Sequence, residues 1–246
     1  MNQDTRQVAI VTGASRGIGA AIARRLAEDG YRIVVNYASN VAEAEKVVGA
    51  LRDAGHGAIA VKADVSQADD VRALFDAAER EFGRVDVLVN NAGVLKTKPL
   101  AETSDELFAN TFGINVQGTF NTLREAASRL HDGGRIVNFS TTVLAMKLPG
   151  YAIYSASKAA VEAMSAVFAK ELRGRRIRVN TVAPGPVATE LFFSGKTQEQ
   201  IDTFAKMPPL ERLGEPDDIA RVVSFLASEE SGWVNGQVLR ANGGTI

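Results

Sequence analysis

Tyr154 and Lys158 stand four residues apart in a stretch, Tyr154 to Leu172, that reads as helix, so their side chains project from one face. An isolated phenol, with a pKa of about 10, exchanges protons poorly at neutral pH. A neighbouring ammonium favours the phenolate and lowers that value. Such a pair can give a proton to a carbonyl oxygen, or take one from an alcohol. By itself, the same spacing also fits an ordinary pair on a helix surface. A second signal is Thr12-Gly13-Ala14-Ser15-Arg16-Gly17-Ile18-Gly19, which follows the apolar run Val8 to Val11 and opens a helix, Gly19 to Glu28. Backbone N–H groups and the helix dipole at such a turn favour an anion, and glycine lets the backbone approach a phosphate closely. The spacing is G-x-x-x-G-x-G, not the more usual G-x-G-x-x-G. Residues 13–17 also spell G-x-S-x-G, the nucleophile elbow of hydrolases, and a Ser15…Asp…His131 order can be written. That elbow normally follows several strands, not the first.

The elements that must position these groups alternate along the chain. Val8 to Val11, Tyr31 to Val35, Ala58 to Ala63, Val85 to Val89, Arg135 to Phe139, Ile177 to Val182 and Gln237 to Arg240 read as strands. Helical patterns separate them, including one from Val41, one around Val71 to Ala78, a long one over Ser104 to Leu130 and a last one over Pro216 to Ala227. Apolar strands without alternation predict a parallel sheet covered on both faces. The expected fold is α/β: one doubly wound, Rossmann-type sheet of about seven strands in a single domain, 1–246. Residues 184–216 read as irregular, and 190–215 as a lid within that domain.

The end of the second strand bears on the choice of dinucleotide. An acid there would bond the ribose 2′-OH of NAD and repel the 2′-phosphate of NADP. Here Asn36, Tyr37, Ala38 and Ser39 follow, with no acid before Glu43, and Arg16 can reach the same place. These residues point to NADP. Asp64, after the third strand, suits the adenine amino group, with Val65 beside it, or a helix cap.

Composition narrows the remaining possibilities. The 246 residues include no cysteine, which excludes disulfides, thiolate ligands and cysteine nucleophiles. The two histidines, His56 and His131, each adjoin or neighbour glycine in loops, so no metal site is expected. A net charge of −1 gives no field for nucleic acid or anionic membranes. The polar stretch Met1 to Gln7 carries no apolar signal core, and no apolar run approaches the roughly 20 residues of a membrane span. A cytoplasmic protein is expected.

In this order the motifs resemble the short-chain dehydrogenase/reductase family, particularly members that reduce 3-oxoacyl thioesters. The matches are the glycine turn, Asp64, Asn90-Asn91-Ala92-Gly93, Asn115, hydroxyls after strand five, Tyr154-x-x-x-Lys158 and Pro184-Gly185, and they span nearly the whole chain. The resemblance implies that Tyr154 is the general acid or base, that Lys158 also holds the nicotinamide ribose and that Asn115 binds a water in a proton relay. It places Gly13, Ser15, Arg16, Gly17, Ile18, Gly19, Asn91, Ala92, Gly93, Pro184, Gly185, Val187 and Thr189 against the cofactor, and it implies a homotetramer. The family's serine, 13 residues before the tyrosine, is Thr141 here, with Ser140 as the neighbouring alternative.

The activity so implied is NADP-dependent reduction of a carbonyl to a secondary alcohol, the substrate being a 3-oxoacyl thioester or a small ketone, diketone or quinone. A non-catalytic dinucleotide sensor is the competing class. Leu191, Phe192, Phe193, Phe204, Met207 and Leu210 suggest an apolar lid or a packed helix pair. Arg173, Arg175, Arg176 and Arg178 read as cations at a helix C-terminus, or as a dock for an acidic carrier protein. Ala156, Ala160, Ala163 and Ala166 form a small-residue face suited to close packing, between subunits or within the chain.

Overall fold

The computed structural model describes residues 6–246. Residues 1–5, and with them most of the polar N-terminal stretch, lie outside the described residues. Seven strands, β1 (Val8–Val11), β2 (Arg32–Tyr37), β3 (Ala58–Lys62), β4 (Val87–Asn90), β5 (Arg135–Phe139), β6 (Arg178–Pro184) and β7 (Val238–Ala241), pair in parallel in the order β3-β2-β1-β4-β5-β6-β7. Ten α-helices accompany them: α1 (Gly17–Glu28), α2 (Val41–Asp53), α3 (Ala68–Phe82), α4 (Asp105–Phe112), α5 (Gly118–Arg129), α6 (Val143–Met146), α7 (Ala152–Glu171), α8 (Glu190–Phe193), α9 (Gln198–Lys206) and α10 (Pro216–Ala227).

Alternate residues of each strand serve opposite faces. Ala9 and Val11 pack with α1, α2 and α10, whereas Val8 and Ile10 pack with α3, α5 and α7. Burial on both faces is why the strands read as unbroken apolar runs. The winding direction reverses between β1 and β4, which opens a crevice at their C-terminal ends.

Three features depart from expectation. The long helix over Ser104 to Leu130 is α4 and α5 joined by one π turn, Gly113–Gln117, which carries Asn115. The irregular stretch 184–216 contains α8 and α9. Thr197 and Gln200 close a capping box at the start of α9. The strand β2 runs on through Asn36 and Tyr37, which removes both from the loop. Among the described residues no helix is long and apolar enough to cross a membrane. The only tryptophan, Trp233, is fully exposed.

The glycine turn is the most tightly constrained junction. Gly13 and Gly17 adopt φ of +62° and +54°, the left-handed region. A Cβ at Gly19 would lie 2.4 Å from the Gly13 carbonyl oxygen and 2.5 Å from Asn91 Nδ2. Gly19→Ala is therefore expected to destabilise the chain by about 1–3 kcal/mol, the usual cost of forcing atoms into a packed site. Urea unfolding followed by far-ultraviolet circular dichroism checks this, and an unchanged midpoint would contradict the packing described.

Candidate active site

Side-chain amides replace backbone pairing where the strands end. Asn91 Nδ2 donates to the carbonyls of Thr12 at 2.8 Å and Gly13 at 3.1 Å, and Thr12 Oγ1 accepts from the Ala92 N–H at 3.0 Å. These bonds tie the β1 turn to the β4 loop. Asn36 is buried and completes the junction. Its Oδ1 accepts from the Gly13 N–H at 3.1 Å, and its Nδ2 donates to the Ala63 carbonyl at 3.0 Å. Both ends of its amide are thus spent inside the scaffold. Tyr37 is half-buried against the core, and Ala38 and Ser39 are exposed. Asp64 Oδ1 accepts from the N–H and Oγ of Ser66 at 2.9 and 2.8 Å, so it braces a turn and does not cap α3, which starts at Ala68. The Val65 carbonyl accepts from Asn121 Nδ2 at 3.0 Å.

One cleft with about 940 Å³ of free space, partly open to solvent, gathers much of the predicted site. Ile18, Asn91, Gly93, Ser140, Thr141, Tyr154, Lys158, Pro184, Gly185, Val187 and Thr189 all line it. Gly13, Ser15, Arg16, Gly17 and Gly19 lie on the adjoining turn, where Arg16 Nη1 forms an exposed ion pair with Glu190 at 3.2 Å. Asn115 is fully buried behind the wall. Its Oδ1 accepts from the Val94 N–H at 2.9 Å, and its Nδ2 donates to the Val94 carbonyl and Ser157 Oγ, each at 3.0 Å. A Cβ at Gly93 would stand 3.2 Å from Asn115 Oδ1 and 3.5 Å from Lys158 Nζ, so that position keeps the two groups close.

The hydroxyl question separates cleanly. Ser140 Oγ donates to Glu162 Oε1 at 2.5 Å, which draws it toward α7. Thr141 lines the cleft with Tyr154 and holds down the rise of its pKa, and its Oγ1 accepts from the Val143 N–H at 3.2 Å. The threonine, not the serine, stands with the tyrosine.

The electrostatics reverse one expectation. Burial pushes the Tyr154 phenol up to about 12, with Thr141 opposing the rise. Burial also brings the Lys158 ammonium down to about 8. Lys158 was expected to depress the phenol. Instead its Nζ donates to the Phe139 carbonyl at 2.9 Å, and desolvation dominates both groups.

Sequence reading missed Tyr151, whose ring meets Tyr154 edge-on at 6.4 Å, and Ser157, which accepts from Asn115. Their i, i+3 offsets from Tyr154 were the available signal. Leu191, Phe192 and Phe204 line the cleft, and Phe192 packs edge-on with Phe193 and Phe204, so lining and helix packing both hold. Met207 and Leu210 are exposed outside it. Arg175 bonds Asp132 and the Ala127 and Leu130 carbonyls, so it caps α5 and not its own helix. Arg178 is occupied by Ser231 and the Ser228 carbonyl. Ser15 lies beyond the C-terminal end of β1 while His131 precedes β5, at the opposite sheet edge, so the hydrolase triad cannot assemble.

Known proteins resemble this chain over nearly its full length. A family model described as "Enoyl-(Acyl carrier protein) reductase" matches residues 13–245. A "Short-chain type dehydrogenase/reductase" from Picea abies is 49% identical, across 98% of this chain and 92% of its own. An "NADPH-dependent aldehyde reductase-like protein, chloroplastic" from Arabidopsis thaliana is 47% identical, across 98% of this chain and 94% of its own. Among solved structures, a short chain dehydrogenase from Burkholderia cenocepacia in complex with NADP has a TM-score of 0.93 at 33% identity and covers 99% of each chain. With a matching fold over nearly its full length and relatives approaching half identity, the chain belongs to the short-chain dehydrogenase/reductase family.

Proposed function

We propose that this chain is an NADPH-dependent oxidoreductase that reduces a ketone or other carbonyl to the alcohol. The observation that carries the reading is a neutral phenol, Tyr154, half-buried beside Thr141 and one helical turn from Lys158, in a cleft that adjoins the glycine turn. The turn suits the cofactor. Helix α1 has no side-chain cap and no acid in its first turn, whereas Asn40, Ser104 and Thr197 cap α2, α4 and α9. Its free N–H groups and dipole are left to an anion such as a pyrophosphate. No carboxylate follows β2 before Glu43, and exposed Arg16 suits the 2′-phosphate.

NADPH, when bound, supplies the hydride. Tyr154 holds its proton through neutral pH and donates it to the carbonyl oxygen. Thr141 orients that oxygen by a hydrogen bond. Lys158 steadies the phenolate left behind, and the Asn115 main chain holds a water that returns a proton to it. The Asn115 side chain positions the Val94 loop. Residues 190–215 act as the lid of a single domain. We also propose a cytoplasmic homotetramer: Ala156, Ala163 and Ala166 on α7 are exposed, as are Phe108, Phe120 and Val167, and together they offer an apolar face.

Tyr154→Phe should lower kcat by about 10²–10⁴-fold with NADPH binding retained, since it removes only the proton donor. NADPH oxidation against a panel of ketones, diketones, quinones and an acetoacetyl thioester, with calorimetric cofactor titration, reads both. A variant with wild-type turnover defeats the assignment. NADPH should bind more tightly than NADH, and Arg16→Ala should cost about tenfold in NADPH affinity alone. Equal affinities for the two dinucleotides contradict this.

Lys158 sets a pH dependence. Folded, it loses its proton as pH rises through about 8, against an ordinary value of 10.5. Between those values the unfolded chain binds more protons, so stability rises with pH across that window. Lys158→Met should therefore be more stable than wild type at pH 7, by on the order of 2–3 kcal/mol, with the gap closing toward pH 10. Reduction needs the ammonium and should fall as pH rises above about 8. A Lys158→Met variant that unfolds more readily at pH 7 would count against the cause given.

A further inference from the structure

Among the described residues only two charged side chains line the cleft, Lys158 and Lys196. Lys158 is held by the Phe139 carbonyl beside the reacting groups. Lys196 lies between α8 and α9, and its ammonium has no part in the proton chemistry above. Its Nζ donates to the Phe192 carbonyl at 2.7 Å and lies 4.8 Å from the Phe192 ring centroid. Among the described residues no carboxylate pairs with it. Nearby Glu190 is taken by Arg16. The half-buried ammonium retains donor capacity beyond its one hydrogen bond. The same cleft wall carries Met146, Tyr151, Leu191 and Phe204, and among the described residues no acid lines it. A cation partly withdrawn from water without a counter-ion carries a desolvation cost that an incoming anion offsets. Its own pKa is lowered by that desolvation, which fits the same picture.

We infer that Lys196 is a specificity-determining residue that selects carbonyl substrates with an apolar or aromatic body ending in a carboxylate. The inference rests on the reductase reading above and deepens it. The carbonyl end goes to Tyr154 and Thr141, the body lies along the apolar wall, and the carboxylate meets the ammonium. The competing role for the same cation is contact with a cofactor phosphate.

The test compares 4-carboxybenzaldehyde with methyl 4-formylbenzoate, which differ in charge but share a reacting carbonyl, for wild type, Lys196→Met and Lys196→Arg, with NADPH. Wild type should favour the acid by about tenfold in kcat/KM, as expected for one partly exposed charge-assisted hydrogen bond. Lys196→Met should erase that preference through KM for the acid and leave the ester within about twofold, as an apolar replacement removes only the ionic contact. Lys196→Arg should retain it. Calorimetric binding of 4-carboxybenzyl alcohol to the NADP⁺-loaded protein supplies a readout independent of turnover and should weaken by the same factor in Lys196→Met. Equal use of acid and ester by wild type, or a Lys196→Met variant that raises KM for NADPH and keeps the acid preference, overturns the inference. Charge-dependent alcohol binding without turnover of either aldehyde supports the Lys196 contact and defeats the reductase reading instead.

Discussion

The Asn91 amide, bonded to the Thr12 and Gly13 carbonyls, holds the reactive edge of this molecule together. A parallel sheet ends with a row of backbone groups that no further strand pairs, and buried groups of that kind must find partners. At this edge asparagine supplies them. Asn36 joins β2 and β3 to the turn after β1, and Asn90 donates to Asn138, which donates to Ser165 on α7. The chain of amides connects the glycine turn to the helix of Tyr154 and Lys158. The fold thus positions its chemistry by polar bonds at the strand ends, above two largely apolar core layers.

A second constraint is electrostatic. Desolvation pushes both Tyr154, half-buried at the cleft wall, and the buried Lys158 toward neutrality. For a proton donor that is an asset, because a partly desolvated phenol keeps its proton until a partner with matching geometry arrives. For the lysine it is a cost in stability, borne by the apolar layers around it.

Much of this was legible in the sequence because the strands are buried on both faces and the motifs sit at their ends. Val8–Val11 and Arg135–Phe139 were readable to the residue, since apolar runs need no partner to be seen. Tyr154 and Lys158 were readable because a helix repeats at a known period. What escaped depends on contacts distant in the chain. Asn36 looks like any polar residue in a βα loop until Gly13 and Ala63 are placed against it. Ser140 and Thr141 differ only in which way the end of β5 turns them, and Glu162 decides that from 22 residues away. The π turn at Gly113–Gln117 leaves no mark in apolar spacing. Lys196 belongs to no motif, and its lack of a counter-ion emerges only where Glu190 is paired with Arg16.

The single indole of the chain, Trp233, projects fully into solvent near the N-terminal ends of β5 and β6, remote in sequence from every group that lines the cleft. Its emission is therefore that of a hydrated indole in the folded protein as well as the unfolded one. Intrinsic fluorescence is a poor gauge of unfolding for this protein. It is instead a probe of whatever surface comes to rest on that corner, because a blue shift there reports water leaving the indole while the core stays unchanged.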